Sequence, residues 1–413
     1  MPKSFSLLIL SLFLFACAEP RTDHTLKPFE YPTKVDTTDQ PITDQVKQVY
    51  TVTQDKVSAD NMFDGARMNS FSRLGKNRYE VTINPENSPI NPSPWYAFRI
   101  YAEDARVVDI ELEYGDAKHR YWPKISKDGK KWMVLDSSRL EILNEGRRAR
   151  VTLDIGKDTT WLAGQEIINS TDITQWAKQF TAIDNTSFEV IGKSKLGRDM
   201  IHLDIHSGTN SGKQIIAVVS RQHPPEVTGN MAMIAFVEEI LNDSKLSKAF
   251  RLQYRVLVYP MLNPDGVDLG HWRHNAAGID LNRDWAEYNQ PEIRQVCEHI
   301  IEQANEGGED VILGLDFHST YSDVYYTIAD SIQTALPTFA NDWIGQIENN
   351  LDGFNARISP AAITSPVSKN WFYNQFNAVG IVYEIGDNTP REIIKKKGQV
   401  SAQEMMKILI NKQ

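Results

Sequence analysis

At 413 residues the chain exceeds the size of a typical single domain and can bury a large core, so it reads as about two domains plus tails. Lys+Arg total 44 against Asp+Glu 54, a formal charge of -10, and no basic stripe is interleaved with aromatics. That balance excludes nucleic acid as a partner, because a phosphate backbone requires a clustered positive face.

The first segment, residues 1–17, reads as a processing signal: Lys3 supplies a short positive region and Phe5 to Phe15 an apolar stretch too short to span a bilayer as a mature helix. The stretch "LFAC" ending at Cys17 resembles a bacterial lipobox, in which the cysteine becomes the lipid-bearing first residue of the mature protein. An ordinary secretory signal is the alternative. A lipid anchor would hold the chain on a membrane of a bacterial cell envelope. Ala18 after the cysteine, rather than Asp, is compatible with the outer membrane, facing the periplasm. Only Cys297 then remains, which excludes a disulfide framework and a cysteine-rich metal site. Residues 18–48, rich in Thr, Pro, Asp and Lys without apolar periodicity, read as a mobile tether.

From 49 to 162 the pattern changes to short β-branched and aromatic runs, "RYEVTI", "WYAFRIYA", "VVDIELEY" and "RARVTLDI", punctuated by turn-prone "NPENSPINPSP" and "SKDGKKW". No 3.6-residue period is sustained there, so a β-sandwich is expected. From 163 to 413 "STDITQWAKQFTAI" opens a helix capped by Ser170 or Thr171. The apolar strands "QIIAVVS", "YRVLVYP", "VILGLDFH" and "AVGIVYEIG" then alternate with helical stretches. Continuous apolar strands predict an α/β sheet covered on both faces, with chemistry at the strand C-terminal ends.

The candidate chemistry does fall there. "HPPE" sets His223 three residues before Glu226, with two prolines stiffening the loop; "DFHST" carries His318 and "YEIGDN" carries Glu384. Two histidines and a glutamate are one of the ligand sets that give a catalytic zinc three N/O ligands and one open position. Each residue also has an ordinary reading. Glu226 and Asp280 suit helix N-termini, Glu384 a solvated strand end, and His318 a satisfied core histidine.

The ordered set resembles the zinc carboxypeptidases of the carboxypeptidase A type, whose pattern is HxxE, a distant third His followed by Ser, and a late catalytic Glu. "NPDG" at Asn263 to Gly266, a following arginine, "DLNRDW" at Asp280 to Trp285 and "HS" at His318–Ser319 stand in the family's order, and "IGKSKLGRDM" resembles its opening strand and hairpin. The resemblance covers about Trp161 to the C-terminus. The β-rich region before it looks like the small sandwich domain of the cytosolic-carboxypeptidase branch.

The resemblance implies one Zn2+ per chain, held by His223, Glu226 and His318, with Asp280 fixing the tautomer of the first histidine. Glu384 would be the general acid and base, Arg273 the group that holds the scissile carbonyl, and Asn282 with Arg283 the binders of a free α-carboxylate. Counting 15 positions back from Glu384 reaches Lys369, the position implied for the floor of a specificity pocket. A lysine there would favour an acidic C-terminal side chain. A tyrosine found roughly two dozen residues before the catalytic glutamate in many members is missing, and Tyr373 is the nearest substitute. His271, His274 and His299 are left as structural or surface residues.

The expected activity is hydrolysis of the C-terminal peptide bond of peptides or peptide-like substrates. The alternatives are a zinc amidohydrolase acting on peptidoglycan stem peptides or N-acyl amino acids, and an inactive scaffold whose sandwich binds a partner.

Overall fold

The computed structural model describes residues 23–32, 34–184 and 186–411. The proposed lipidation residue, Cys17, lies outside these residues.

Between Val49 and Ala163 the chain forms two sheets. One has six strands, in the order Val49–Val52, Val57–Asp60, Ala97–Ala102, Thr160–Ala163, Lys124–Ser126, Trp132–Val134. The other has five, in the order Ser70–Gly75, Arg78–Thr82, Arg106–Glu113, Arg148–Ile155, Leu140–Leu143. Alternation explains the packing, since in Arg148–Ile155 every second side chain is buried. Val57, Phe98 and Leu162 from the first sheet meet Tyr79, Ile110 and Val151 from the second in one core. The expected sandwich is the result.

The third sheet has eight strands, in the spatial order Thr186–Lys193, Asp199–Ile205, Arg255–Tyr259, Ile215–Ser220, Val311–Thr320, Val379–Gly386, Val324–Ile328, Ile358–Ala361. It is mixed: the central strands run parallel, while Thr186–Lys193, Asp199–Ile205 and Val324–Ile328 enter antiparallel. Both faces are covered. Ile216 and Val218 of one central strand face a core shared with the helices Val227–Leu241 and Arg391–Asn411, whereas Ile215, Ala217 and Val219 face Pro291–Gly307 and Ser368–Phe376. A strand buried on both faces therefore needs the continuous apolar run seen in its sequence.

Two sequence expectations change. The helix Ser170–Lys178 is capped by Asn169, not by Ser170 or Thr171: the Asn169 side chain accepts from Asp172 N, and Asp172 accepts from Asn169 N. Ser170 Oγ instead donates to Asp268 Oδ2 at 2.6 Å, a tertiary partner that local sequence does not reveal. The tether also proves to be bound along its described length. Thr37 Oγ1 donates to Asp284 Oδ1, Gln290 Nε2 donates to Thr37 O, Tyr288 OH donates to Lys27 O, and Leu26 and Phe29 pack against the core beneath helix Pro291–Gly307. Isolated contacts of this kind require no periodicity, so composition alone reads the strap as free.

Candidate active site

The loop after Ile215–Ser220 carries the HPPE motif and is held from several sides. Arg221, buried and at φ 58°, turns the chain, and its Nε donates to Pro224 O at 2.9 Å. Asn263 of the NPDG motif caps the helix Pro264–Leu269 and donates from Nδ2 to Gln222 O. Glu226 occupies the N-cap position of Val227–Leu241, yet its side chain makes no capping hydrogen bond. It turns instead toward the two histidines.

Glu226 Oε1 lies 2.8 Å from His223 Nδ1, and Oε2 lies 2.6 Å from His318 Nδ1. His318 arrives near the C-terminal end of Val311–Thr320, where Ser319 Oγ accepts from Gly229 N and Thr228 Oγ1 at the start of the facing helix. Gly229 is required there, because a Cβ would meet His318 O at 2.1 Å. The far nitrogen of each histidine faces a carboxylate: His223 Nε2 is 2.9 Å from Asp280 Oδ1, and His318 Nε2 is 2.8 Å from Asp316 Oδ2. Asp316 is in turn held by Gln222 Nε2 and Ser368 Oγ.

Burial alone would raise the pKa of Glu226, but the two imidazoles override it and hold the carboxylate well below its usual range. Burial would likewise lower His318, and Asp316 with Glu226 push it well above an ordinary histidine. For Asp280, Arg273 and His223 outweigh burial and keep it ionised. Glu384 goes the other way: burial first, then the charge of Glu226, pushes it up to about 8.

His223, Glu226 and His318 present ligand atoms all within 4.8 Å of one another. The donors fit a zinc. Two ring Nδ1 atoms and a carboxylate converge while the outer ring nitrogens are tied to carboxylates, the arrangement that orients metal-ligating histidines. Glu384 stands directly across the parallel strand pair from His318, and its Oε2 is buried with no hydrogen-bond partner among the described residues.

These residues open on a cavity of about 420 Å³, also lined by Arg273, Asn282, Arg283 and Lys369. Arg273 Nε donates to Asp280 Oδ2 at 2.8 Å. Asp280 therefore links the first histidine to the arginine. Asn282 is anchored through Oδ1, which accepts from Ser368 N, and Arg283 Nη1 donates to Asn282 O. Lys369 is buried; its Nζ donates to Asn370 Oδ1, and burial lowers its pKa to about 8. Apart from Cys17 and Tyr373, every site residue named from sequence is thus in or against one cavity. Tyr373 does not line it; Tyr326 does.

Four contributors escaped the sequence reading. Asp316 sits two positions before His318 on one strand, hence on the same face, and that spacing was a usable signal. Tyr326, Glu86 and Arg120 carried none. Glu86, fully buried in the sandwich's "NPENSPINPSP" loop, accepts from the backbone N–H groups of Trp272, Arg273 and His274 and so fixes the segment bearing Arg273. Arg120, also from the sandwich, lines the cavity; its Nε donates to Asp387 Oδ2 at 2.8 Å and its Nη2 to Ser319 O at 3.3 Å.

A sequence profile described as zinc carboxypeptidase matches residues 173–402, so the chain belongs to the zinc carboxypeptidase family. It is 34% identical over 249 residues to an uncharacterised protein of Zymomonas mobilis, covering 58% of this chain and 62% of that one. It is 29% identical over 138 residues to cytosolic carboxypeptidase 6 of Mus musculus, covering 32% of this chain and 26% of that protein. The matches thus span less than two thirds of either relative. A metallo-carboxypeptidase from Pseudomonas aeruginosa, solved in complex with (2-guanidinoethylmercapto)succinic acid, shares the fold with a TM-score of 0.70 at 18% identity, covering 86% of this chain and 99% of that one.

Proposed function

We propose that this chain is a zinc-dependent metallocarboxypeptidase that removes C-terminal residues from peptides, with preference for an acidic terminal side chain. The observation carrying this reading is that the His223, Glu226 and His318 donors and Glu384 share one cavity with Arg273, Arg283 and Lys369. When bound, zinc would polarise the scissile carbonyl and acidify a water.

The chain's own residues supply the rest. Glu384 takes a proton from the attacking water and returns it to the leaving amine. Arg273, with Nε committed to Asp280, keeps its outer nitrogens for the carbonyl oxygen and the negative charge that develops on it. Arg283, partly exposed, and Asn282 bind the free α-carboxylate, the contact that would make the enzyme an exopeptidase. Lys369, whose ammonium has no ion-pair partner among the described residues, gains one from a substrate Glu or Asp.

Peptides with free C-termini ending in Glu, Phe or Lys, assayed beside muropeptides and N-acyl amino acids, test this reading. Release of single C-terminal residues, Glu fastest, is expected. Turnover confined to the muropeptides or N-acyl amino acids would replace it with the amidohydrolase. We also propose lipid anchoring at Cys17 in a bacterial envelope. Among the described residues no helix is long and apolar enough to cross a membrane.

A further inference from the structure

We propose that Glu189, His202 and His299 form a second metal site, separate from the cavity, that takes a divalent transition ion such as zinc. Glu189 and His202 are direct cross-strand partners in the antiparallel pair Thr186–Lys193 and Asp199–Ile205 at one edge of the eight-stranded sheet. Opposed side chains on such a pair share a face. Ile201, Leu203 and Ile205 point to one core, so His202 points to the other, beneath helix Pro291–Gly307, and that helix supplies His299. The two imidazole centroids are 4.5 Å apart.

Hydrogen bonding also bears on this cluster. His202 is buried, and among the described residues neither of its ring nitrogens has a hydrogen-bond partner; buried His299 Nε2 has none within 3.5 Å. Buried polar atoms are almost always paired, and leaving one bare costs on the order of 1–3 kcal/mol. His299 Nε2 lies 3.6 Å from Glu189 Oε2, and its lone pair ligates when Nδ1–H donates to Tyr259 OH, 2.7 Å away. This is the outer hydrogen bond that typically orients a ligating histidine.

The three ligand atoms lie within 4.8 Å of one another. An ion about 2.0–2.1 Å from each needs donors roughly 3.4 Å apart in tetrahedral geometry. The His299–Glu189 pair meets that spacing, and modest side-chain rotation brings in His202. The nearby cation Arg255 is engaged by Asp204 through three hydrogen bonds, so it offers the ion little repulsion. Burial keeps both imidazoles below their ordinary pKa and hence neutral, the form that ligates. The Glu189 side chain is 57% exposed, leaving a fourth position open to solvent. Two strands separate His202's strand from that of His318, which places the sites about 14 Å apart across the sheet. The ion would pin the edge hairpin to helix Pro291–Gly307.

The test is titration of the EDTA-dialysed full chain with zinc chloride by calorimetry, with circular dichroism to verify folding. Wild type is expected to bind two equivalents. His318→Ala should keep one, and in that background Glu189→Gln, at an exposed position, and His202→Phe, which preserves the ring stacking on Tyr259, should weaken it at least about tenfold. Zinc should raise the Tm of His318→Ala but not of His318→Ala with Glu189→Gln. One equivalent in wild type, lost in His318→Ala, overturns the second site; so does a second equivalent indifferent to both Glu189→Gln and His202→Phe. One equivalent lost in Glu189→Gln but kept in His318→Ala upholds it and overturns the zinc reading of the cavity instead.

Discussion

Glu384, half-buried, and Lys369, buried, line one cavity, and desolvation moves them toward each other: the carboxyl up to about 8 and the ammonium down to about 8, because in each case it penalises the charged form. For Lys369 the sign gives a testable pH dependence. Its ammonium is present below about 8 and is lost as pH rises through that value. The ratio of kcat/KM for Glu-terminated over Phe-terminated peptides should therefore fall above about pH 8 in steady-state assays. Lys369→Ala should flatten the ratio at every pH, and a ratio unchanged by that substitution would remove Lys369 from the pocket. Glu384→Gln should retain zinc by elemental analysis while kcat drops by about 10²–10⁴. A variant with wild-type kcat would place the proton transfer elsewhere. These two residues were reachable through the family resemblance, whereas Glu86 and Arg120 were not, since a lone acid or arginine in a β-rich region has no pattern to distinguish it.

The elements that meet at the cavity come from both halves of the chain. Arg120 bridges the sandwich to Asp387, just beyond the strand Val379–Gly386 that bears Glu384, and both side chains are nearly inaccessible. Removing one member of such a pair leaves an uncompensated buried charge, so Arg120→Ala should cost about 3 kcal/mol of stability in urea unfolding. Arg120→Lys should recover part of it. A loss below about 1 kcal/mol would mean that the Arg120–Asp387 pair contributes little to holding the two halves together. The strap makes a comparable claim on a smaller scale. Thr37→Val leaves buried Asp284 short of one donor and should cost about 1–3 kcal/mol by the same measurement. The strap eluded the sequence reading because its partners lie some 250 residues away, as in the 247-residue separation of Thr37 and Asp284. The strands were legible for the opposite reason: period-2 alternation in "RARVTLDI" and the unbroken apolar run of "QIIAVVS" are imposed by one and two buried faces respectively.

Across the whole molecule, ligand binding and folding are coupled. Zinc bound to the native chain and not to the unfolded one stabilises it by about 4 kcal/mol when free zinc is a thousandfold above Kd. Chelation should therefore lower the Tm measured by calorimetry, and restored zinc should return it. Cys17→Ala should shift the expressed protein from the membrane to the soluble fraction; continued membrane attachment would argue against lipid at that residue. By itself the amino-acid sequence determined the two kinds of sheet, the order of motifs along the chain and the residue types able to bind a metal, because periodicity and ligand chemistry are local properties. Only the tertiary structure decided that a sandwich glutamate fixes the segment of Arg273, that Arg120 reaches the cavity and that His202 and His299 meet Glu189. Each of those pairings joins residues that face one another only after strands pair and helices pack, and a buried charge or imidazole acquires its chemistry from the neighbours that packing brings to it.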